Sequence, residues 1–132
     1  IFAKPTATKR FTIVDAAMND LIRPTLYEAH HDVWPVQEDL RTQASIEQDI
    51  VGPVCESGDF LAQSRALPPF EPGDRMAFMS AGAYGAVMSS TYNSRLLIPE
   101  ILVNGADYCA VRPRPTYDDM IALDRMPDWL AG

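Results

Sequence analysis

The sequence predicts a mainly β fold, a Greek-key-like β-barrel or sandwich with one or two short helices, and three observations lead there. Eleven prolines in 132 residues interrupt the chain too often for long helices, since about 5% is usual. Six or seven short apolar runs, separated by turn residues, read as strands. Only one segment carries a full set of helix signals. The length fits one domain spanning residues 1–132, with enough buried surface for a real core. Apolar residues at 47% and charged residues at 22% exclude wholesale disorder.

Each element follows in order. "RFTIVDAA" (10–17) alternates around β-branched and aromatic residues, the pattern of a strand with one buried face. In "MNDLIRPTLY", Asn19 or Asp20 caps at most one helical turn and Pro24 stops it by constraining Arg23. A strand over about residues 26–36 is expected next, and another in "ASIEQDIVGPV" that ends at Gly52-Pro53. Glu71-Pro72-Gly73-Asp74 has proline and glycine where a type II turn requires them, and a strand at 75–79 should follow. "SAGAYGAVMSSTYNS" has no clean period and reads as a loop with a helical turn near Tyr84. Asn104-Gly105 between two apolar runs marks a hairpin. "PTYDDMIALDRM" offers Thr116 as N-cap with Asp119 three residues on, and places Tyr117, Met120 and Ile121 on one helical face.

Net charge of −7, with Lys4 and Lys9 the only lysines and the arginines scattered, argues against nucleic acid or an anionic membrane as partner. No apolar run reaches the roughly 18 residues of a membrane span, and no leader pattern is present, so a cytoplasmic protein is expected. The first residue is Ile1 rather than methionine, as after processing or excision from something larger. Cys55 and Cys109 have no C-x-x-C spacing and are expected reduced.

Among candidates for chemistry, His30 and His31 are sequence neighbours, which on a strand point to opposite faces, so no metal site is expected of them. Cys55 stands beside Glu56 and three residues after it comes Asp59 (counting from Glu56). Their negative charge disfavours thiolate, making Cys55 a poor nucleophile but a serviceable proton donor. A buried structural cysteine would look the same in sequence. Arg23 and Tyr27, four residues apart, could hold an anionic substrate through a bidentate guanidinium and a phenol, or Arg23 could sit in a surface ion pair. Tyr84, between Gly82 and Gly85, lies where small residues let a ligand approach, or it is a core tyrosine.

Three segments in this order and spacing, "VDAAMNDLIRPTLYEAHH", "VGPVCESGDFLA" and "GAYGAVMSSTYNSR", resemble the C-terminal portion of the bacterial diaminopimelate decarboxylases, within the alanine-racemase-like group of pyridoxal-phosphate decarboxylases. The resemblance runs from about residue 11 to about residue 123. It implies a C-terminal β domain that completes an active site with a (β/α)8 barrel, here absent, across a head-to-tail homodimer. It implies roles as well: Cys55 would be the general acid that returns a proton to the substrate α-carbon after carbon dioxide leaves. Glu56 would hold the distal ammonium, Arg23 with Tyr27 the distal carboxylate, and Tyr84 would contact both cofactor and substrate. Asp59 would fix the loop or a dimer contact.

The implied parent reaction converts meso-diaminopimelate to L-lysine and carbon dioxide, in lysine biosynthesis. Glu56-Ser57-Gly58 stands where the similar ornithine enzymes usually carry Asp-Gly-Leu, which favours diaminopimelate over ornithine, arginine or carboxynorspermidine-type substrates. Thr91 departs from the asparagine expected before Tyr92-Asn93, away from the chemistry. Lys4 and Lys9 lie in a polar stretch and neither suits a Schiff base, so the chain alone is expected to be inactive, to bind no pyridoxal phosphate and to self-associate through apolar surface the barrel would cover. An assembly module without catalysis is the competing possibility.

Overall fold

A computed structural model of the protein describes residues 2–6 and 9–130. They form two compact units, one running to Ser89 and the other beginning at Ser90. The first contains a four-stranded sheet built from β1 (Phe2–Pro5), β2 (Arg10–Ile13), β4 (Ile46–Val51) and β5 (Phe60–Leu67), in the order β1-β2-β4-β5. A separate two-stranded sheet pairs β3 (Val33–Pro35) with β6 (Met76–Phe78). The mainly β class holds, but the sheets are not closed into a barrel.

β1 with β2 and β4 with β5 are antiparallel, whereas β2 and β4 run parallel. A parallel pair needs a long crossover. Here it carries α1 (Arg23–Tyr27), β3 and a 3₁₀ turn at Asp39–Thr42. Val14, Leu21, Val33, Ile50, Leu61 and Ala62 form the core cluster, and Phe70 is fully buried.

Two buried polar groups fix how the strands meet. Thr12 Oγ1 donates to Gln48 Oε1 at 2.5 Å, and Gln48 Nε2 donates to the carbonyls of Leu67 and Pro68 at 3.0 and 2.9 Å. Thus β2, β4 and the end of β5 are tied inside the core, where each partner would otherwise be left dry and unpaired. Asp49, also buried, accepts from Lys9 Nζ at 2.9 Å and from the Ser64 amide at 2.7 Å, where the β4–β5 register shifts and Ser64 takes φ of +49°. The hydrogen bond to Asp49, then its charge, raises the Lys9 pKa above the usual lysine value.

The crossover departs from expectation at Pro24. Ile22 caps α1, and Pro24 stands inside its first turn, where a missing N–H costs nothing because that group has no helical acceptor. Proline therefore starts this helix instead of stopping it. Leu26 and Tyr27 belong to the helix, so the strand expected at 26–36 shrinks to β3. The strand at 10–17 likewise ends at Ile13. Strands β1 and β5 correspond to no sequence expectation.

The turn at residues 71–74 forms as anticipated, with the Asp74 amide donating to Glu71 O at 3.0 Å and Gly73 at φ +97°. Near Tyr84 the chain builds α2 (Gly82–Met88), longer than the single turn foreseen.

The second unit holds β7 (Glu100–Asn104) and β8 (Asp107–Arg112), an antiparallel hairpin. Its loop is Gly105-Ala106, one residue on from the expected centre, because Gly105 takes φ +61° at the position a type II′ turn reserves for glycine. α3 (Tyr117–Ile121) begins with the expected capping box: the Asp119 amide donates to Thr116 Oγ1 at 3.1 Å and the Thr116 amide to Asp119 Oδ2 at 2.7 Å. Among the described residues no helix is long and apolar enough to cross a membrane.

Candidate functional site

The segment joining β4 to β5 is held from inside by Asp59. Only 4% exposed, its carboxylate accepts from the Met18 amide at 2.7 Å through Oδ1 and from the Val54 amide at 2.6 Å through Oδ2. Two charge-assisted bonds thus fix the approach to Cys55. The base of the loop closes with the Gly52 amide donating to Asp59 O at 3.0 Å. A Cβ at Gly52 would lie 2.7 Å from Asp59 Cγ, so only glycine leaves room for the carboxylate.

With its ends pinned, the loop turns its tip outward. Cys55 and Glu56 are both exposed, so Cys55 is not buried within this chain. The Asp59 charge that the spacing set near the thiol is committed instead to backbone amides. Glu56 Oε1 accepts from the Gly58 amide at 3.3 Å, and its charge faces solvent with no cation paired to it among the described residues. Both cysteines are free.

On α1, Arg23 and Tyr27 are one helical turn apart and share a face. Tyr27 is 62% exposed and Arg23 half-buried. The Arg23 guanidinium lies 5.3 Å from the centroid of the Tyr84 ring, a cation–π contact. Tyr84, 64% exposed, is no core tyrosine; its neighbour Gly85 is buried, 3.5 Å from Leu21 Cδ1 when measured from an added Cβ, which seats α2 beside the start of α1. Arg23 forms no ion pair among the described residues, so the edge of its guanidinium remains available to a planar anion.

The helix and the loop are joined directly. Thr25 Oγ1 donates to the Gly58 carbonyl, and a Cβ on Gly58 would come 2.8 Å from Thr25 Cγ2. Thr25 carried no site signal in sequence, because its contribution is a contact with a segment far away in the chain; Gly52 read only as a strand end, and Gly58 only as part of Glu56-Ser57-Gly58. Arg23, Tyr27, Cys55, Glu56 and Tyr84 therefore sit on three segments packed together, with Arg23 and Tyr84 in contact.

His30 is exposed and His31 buried, its Nδ1 3.1 Å from Met79 O, so the pair diverges. Lys9 is occupied by Asp49.

Comparison with known proteins covers nearly the whole chain. The family model described as the pyridoxal-dependent decarboxylase C-terminal sheet domain matches residues 1–82. A diaminopimelate decarboxylase of Pseudomonas fluorescens is 53% identical over 121 residues, 92% of this chain and 28% of that protein. One of Zymomonas mobilis is 46% identical over 127 residues, 96% of this chain and 30% of that protein. The crystal structure of diaminopimelate decarboxylase from M. jannaschii in co-complex with L-lysine superposes with a TM-score of 0.88 at 34% identity, covering 97% of this chain and 29% of that one. The chain spans about 30% of the length of the relatives it matches. It belongs to the pyridoxal-dependent decarboxylases and corresponds to their C-terminal sheet domain.

Proposed function

We propose that this chain is the C-terminal part of a cytoplasmic diaminopimelate decarboxylase, supplying the substrate-recognition and proton-donating side of an active site completed by a (β/α)8 barrel, in a homodimer that shares the site across its interface. The observation that carries this is the Arg23 guanidinium, in no ion pair among the described residues, stacked on exposed Tyr84, on a helix tied through Thr25 to the loop presenting Cys55 and Glu56. The breadth of exposed apolar surface, with Tyr108 at 80% and Leu123 at 83%, fits a chain that is covered by more protein in the working enzyme.

Bound pyridoxal phosphate supplies an electron sink for the bond to the departing carboxyl group. The residues of this chain fit a supporting role: Tyr84 offers an exposed ring to the cofactor and the substrate, while Lys9, held by Asp49, is unsuited to a covalent link. Arg23 and Tyr27 grip the distal carboxylate, and Glu56 the distal ammonium. This selects a substrate that is an amino acid at both ends, and fixes its length across the pocket. Cys55 Sγ–H then gives its proton to the α-carbon that has lost carbon dioxide, leaving L-lysine.

The test is Arg23→Ala in the full-length enzyme. Turnover of meso-diaminopimelate should fall about 100-fold in kcat/KM, from losing a charged, forked contact. Turnover preserved within about twofold would refute the distal-carboxylate site.

A further inference from the structure

We infer that Arg65 is a positioning residue for substrate binding: it clamps the junction from which α1 and α2 both emerge, and so holds Arg23 against Tyr84. This rests on the proposed function and deepens it, by naming what keeps the carboxylate-binding side chains in register. The clamp lies wholly within the first compact unit, and the Cys55 loop takes no part in it.

Half-buried Arg65 reaches from β5 onto the stretch between α1 and β3. Its Nη2 donates to the His31 carbonyl at 2.6 Å, and its Nη1 lies 2.8 Å from His30 Nε2. A guanidinium can only donate, so His30 Nε2 accepts through its lone pair, although Asp32 Oδ1 stands 3.1 Å from the same nitrogen. His31 continues the link: its buried imidazole meets Met79 O through Nδ1 at 3.1 Å, and the Met79 amide donates to Asp32 O at 2.8 Å. One fork on β5 thus fixes residues 30–32 and, through them, Met79. Both helices leave from here, since α1 ends at Tyr27, three residues before His30, and α2 begins at Gly82, three after Met79. The connections have little slack: Glu28 and Ser80 turn the chain at φ +53° and +55°, and the Ala29 amide donates to Arg23 O at 3.2 Å. Close packing does not replace the fork, because a cleft of about 390 Å³, lined by Pro24, Thr25, His30, Phe60 and Arg65 among others, opens between α1 and β5. Arg23 and the Tyr84 ring, 5.3 Å apart, mark where the two helices meet, so a small rotation of either one displaces the guanidinium. A misplacement of about 1 Å is enough to weaken a forked contact to a carboxylate. Arg65 itself touches no substrate in this scheme.

The experiment uses the full-length enzyme and meso-diaminopimelate. Arg65→Met keeps the packing of the stem and removes the fork; it should raise KM about tenfold while kcat stays within about twofold, because the effect is on binding. Arg65→Lys, whose single ammonium does not span the fork, should raise KM by about threefold. Combined with Arg23→Ala, Arg65→Met should add less than about twofold to the loss in kcat/KM, since the clamp acts through a side chain already removed. Alkylation of Cys55 in the free enzyme should stay within about twofold of the wild-type rate in Arg65→Met, which separates the clamp from a general loosening of the fold. A KM unchanged in both Arg65 variants, losses that multiply in the double variant, or Cys55 labelling accelerated in step with KM would overturn the inference. Should Arg65→Met not fold, Arg65→Lys alone and with Arg23→Ala decides by the same readings. If Arg23→Ala lowers turnover while the Arg65 variants keep the wild-type KM, the clamp fails and the proposed site stands. If Arg23→Ala leaves diaminopimelate turnover intact, both fall.

Discussion

Replacing Asp59 with asparagine tests the loop that presents Cys55. In the native fold two amides point at two carboxylate oxygens, Met18 at 2.7 Å and Val54 at 2.6 Å, in a site only 4% exposed. Asparagine is the same size but offers one oxygen and one NH₂ group, so one amide must face another donor. A lost charge-assisted bond is worth about 2 kcal/mol, and a buried donor without an acceptor adds about 1 kcal/mol, giving a cost of about 3 kcal/mol. For a unit of this size, with a urea slope of about 1.5 kcal/mol per molar, the unfolding midpoint should fall by about 2 M. Urea titration followed by circular dichroism measures the shift, and amide exchange by NMR locates it at Met18 and Val54. A midpoint within about 0.3 M of wild type, with exchange at both amides unchanged, would refute the claim that Asp59 holds the loop.

Other substitutions probe neighbouring parts of the fold. Gly52→Ala sets a Cβ 2.7 Å from Asp59 Cγ and should destabilise by about 2 kcal/mol, read from the same titration; Asp59→Gly in that background should relieve the clash without restoring wild-type stability. Gln48→Leu removes the buried acceptor of the Thr12 hydroxyl and a donor to the Leu67 and Pro68 carbonyls, and should cost about 3 kcal/mol by urea unfolding. In the second unit, the backbone and then the side-chain hydrogen bond with Thr116 hold the Asp119 pKa below its usual value. A lowered folded-state pKa means the contribution to α3 is present above the unfolded-state value and is lost as pH falls through the folded one. An acid titration by NMR should therefore show the Thr116 and Asp119 amides losing protection together below the ordinary carboxylate range, with Asp119→Asn flat over the same range.

Local signals were readable wherever one residue type answers one backbone need. Glycine at φ +97° in the 71–74 turn, the Thr116–Asp119 capping box and a glycine at the hairpin loop all follow from chemistry within four residues. Pro24 misled because proline both stops a helix from within and suits its first turn, and only the position of the N-cap at Ile22 separates the two. β5 escaped notice because its mixed burial comes from pairing with β4 across a bulge at Asp49 and Ser64, which no window of the sequence contains. For the site, Arg23, Tyr27, Cys55, Glu56 and Tyr84 stood out as residue types with chemistry, set in the order and spacing of the resemblance. Thr25 did not, since it works by touching a distant segment, and Gly58 was legible only within Glu56-Ser57-Gly58. The inward turn of Asp59 was likewise decided by Met18, 41 residues away in the chain.

The most direct test of the central claim is protection of Cys55 from alkylation in the full-length enzyme carrying Cys109→Ser. Iodoacetamide labelling is followed by peptide mass spectrometry, with and without saturating L-lysine. Cys55 is exposed on its loop, so in the free enzyme it should label measurably, faster as pH rises, lose activity in step with labelling, and be protected at least about tenfold by L-lysine. Labelling at an unchanged rate, or full labelling with activity intact, would contradict the assignment of Cys55 to the substrate site.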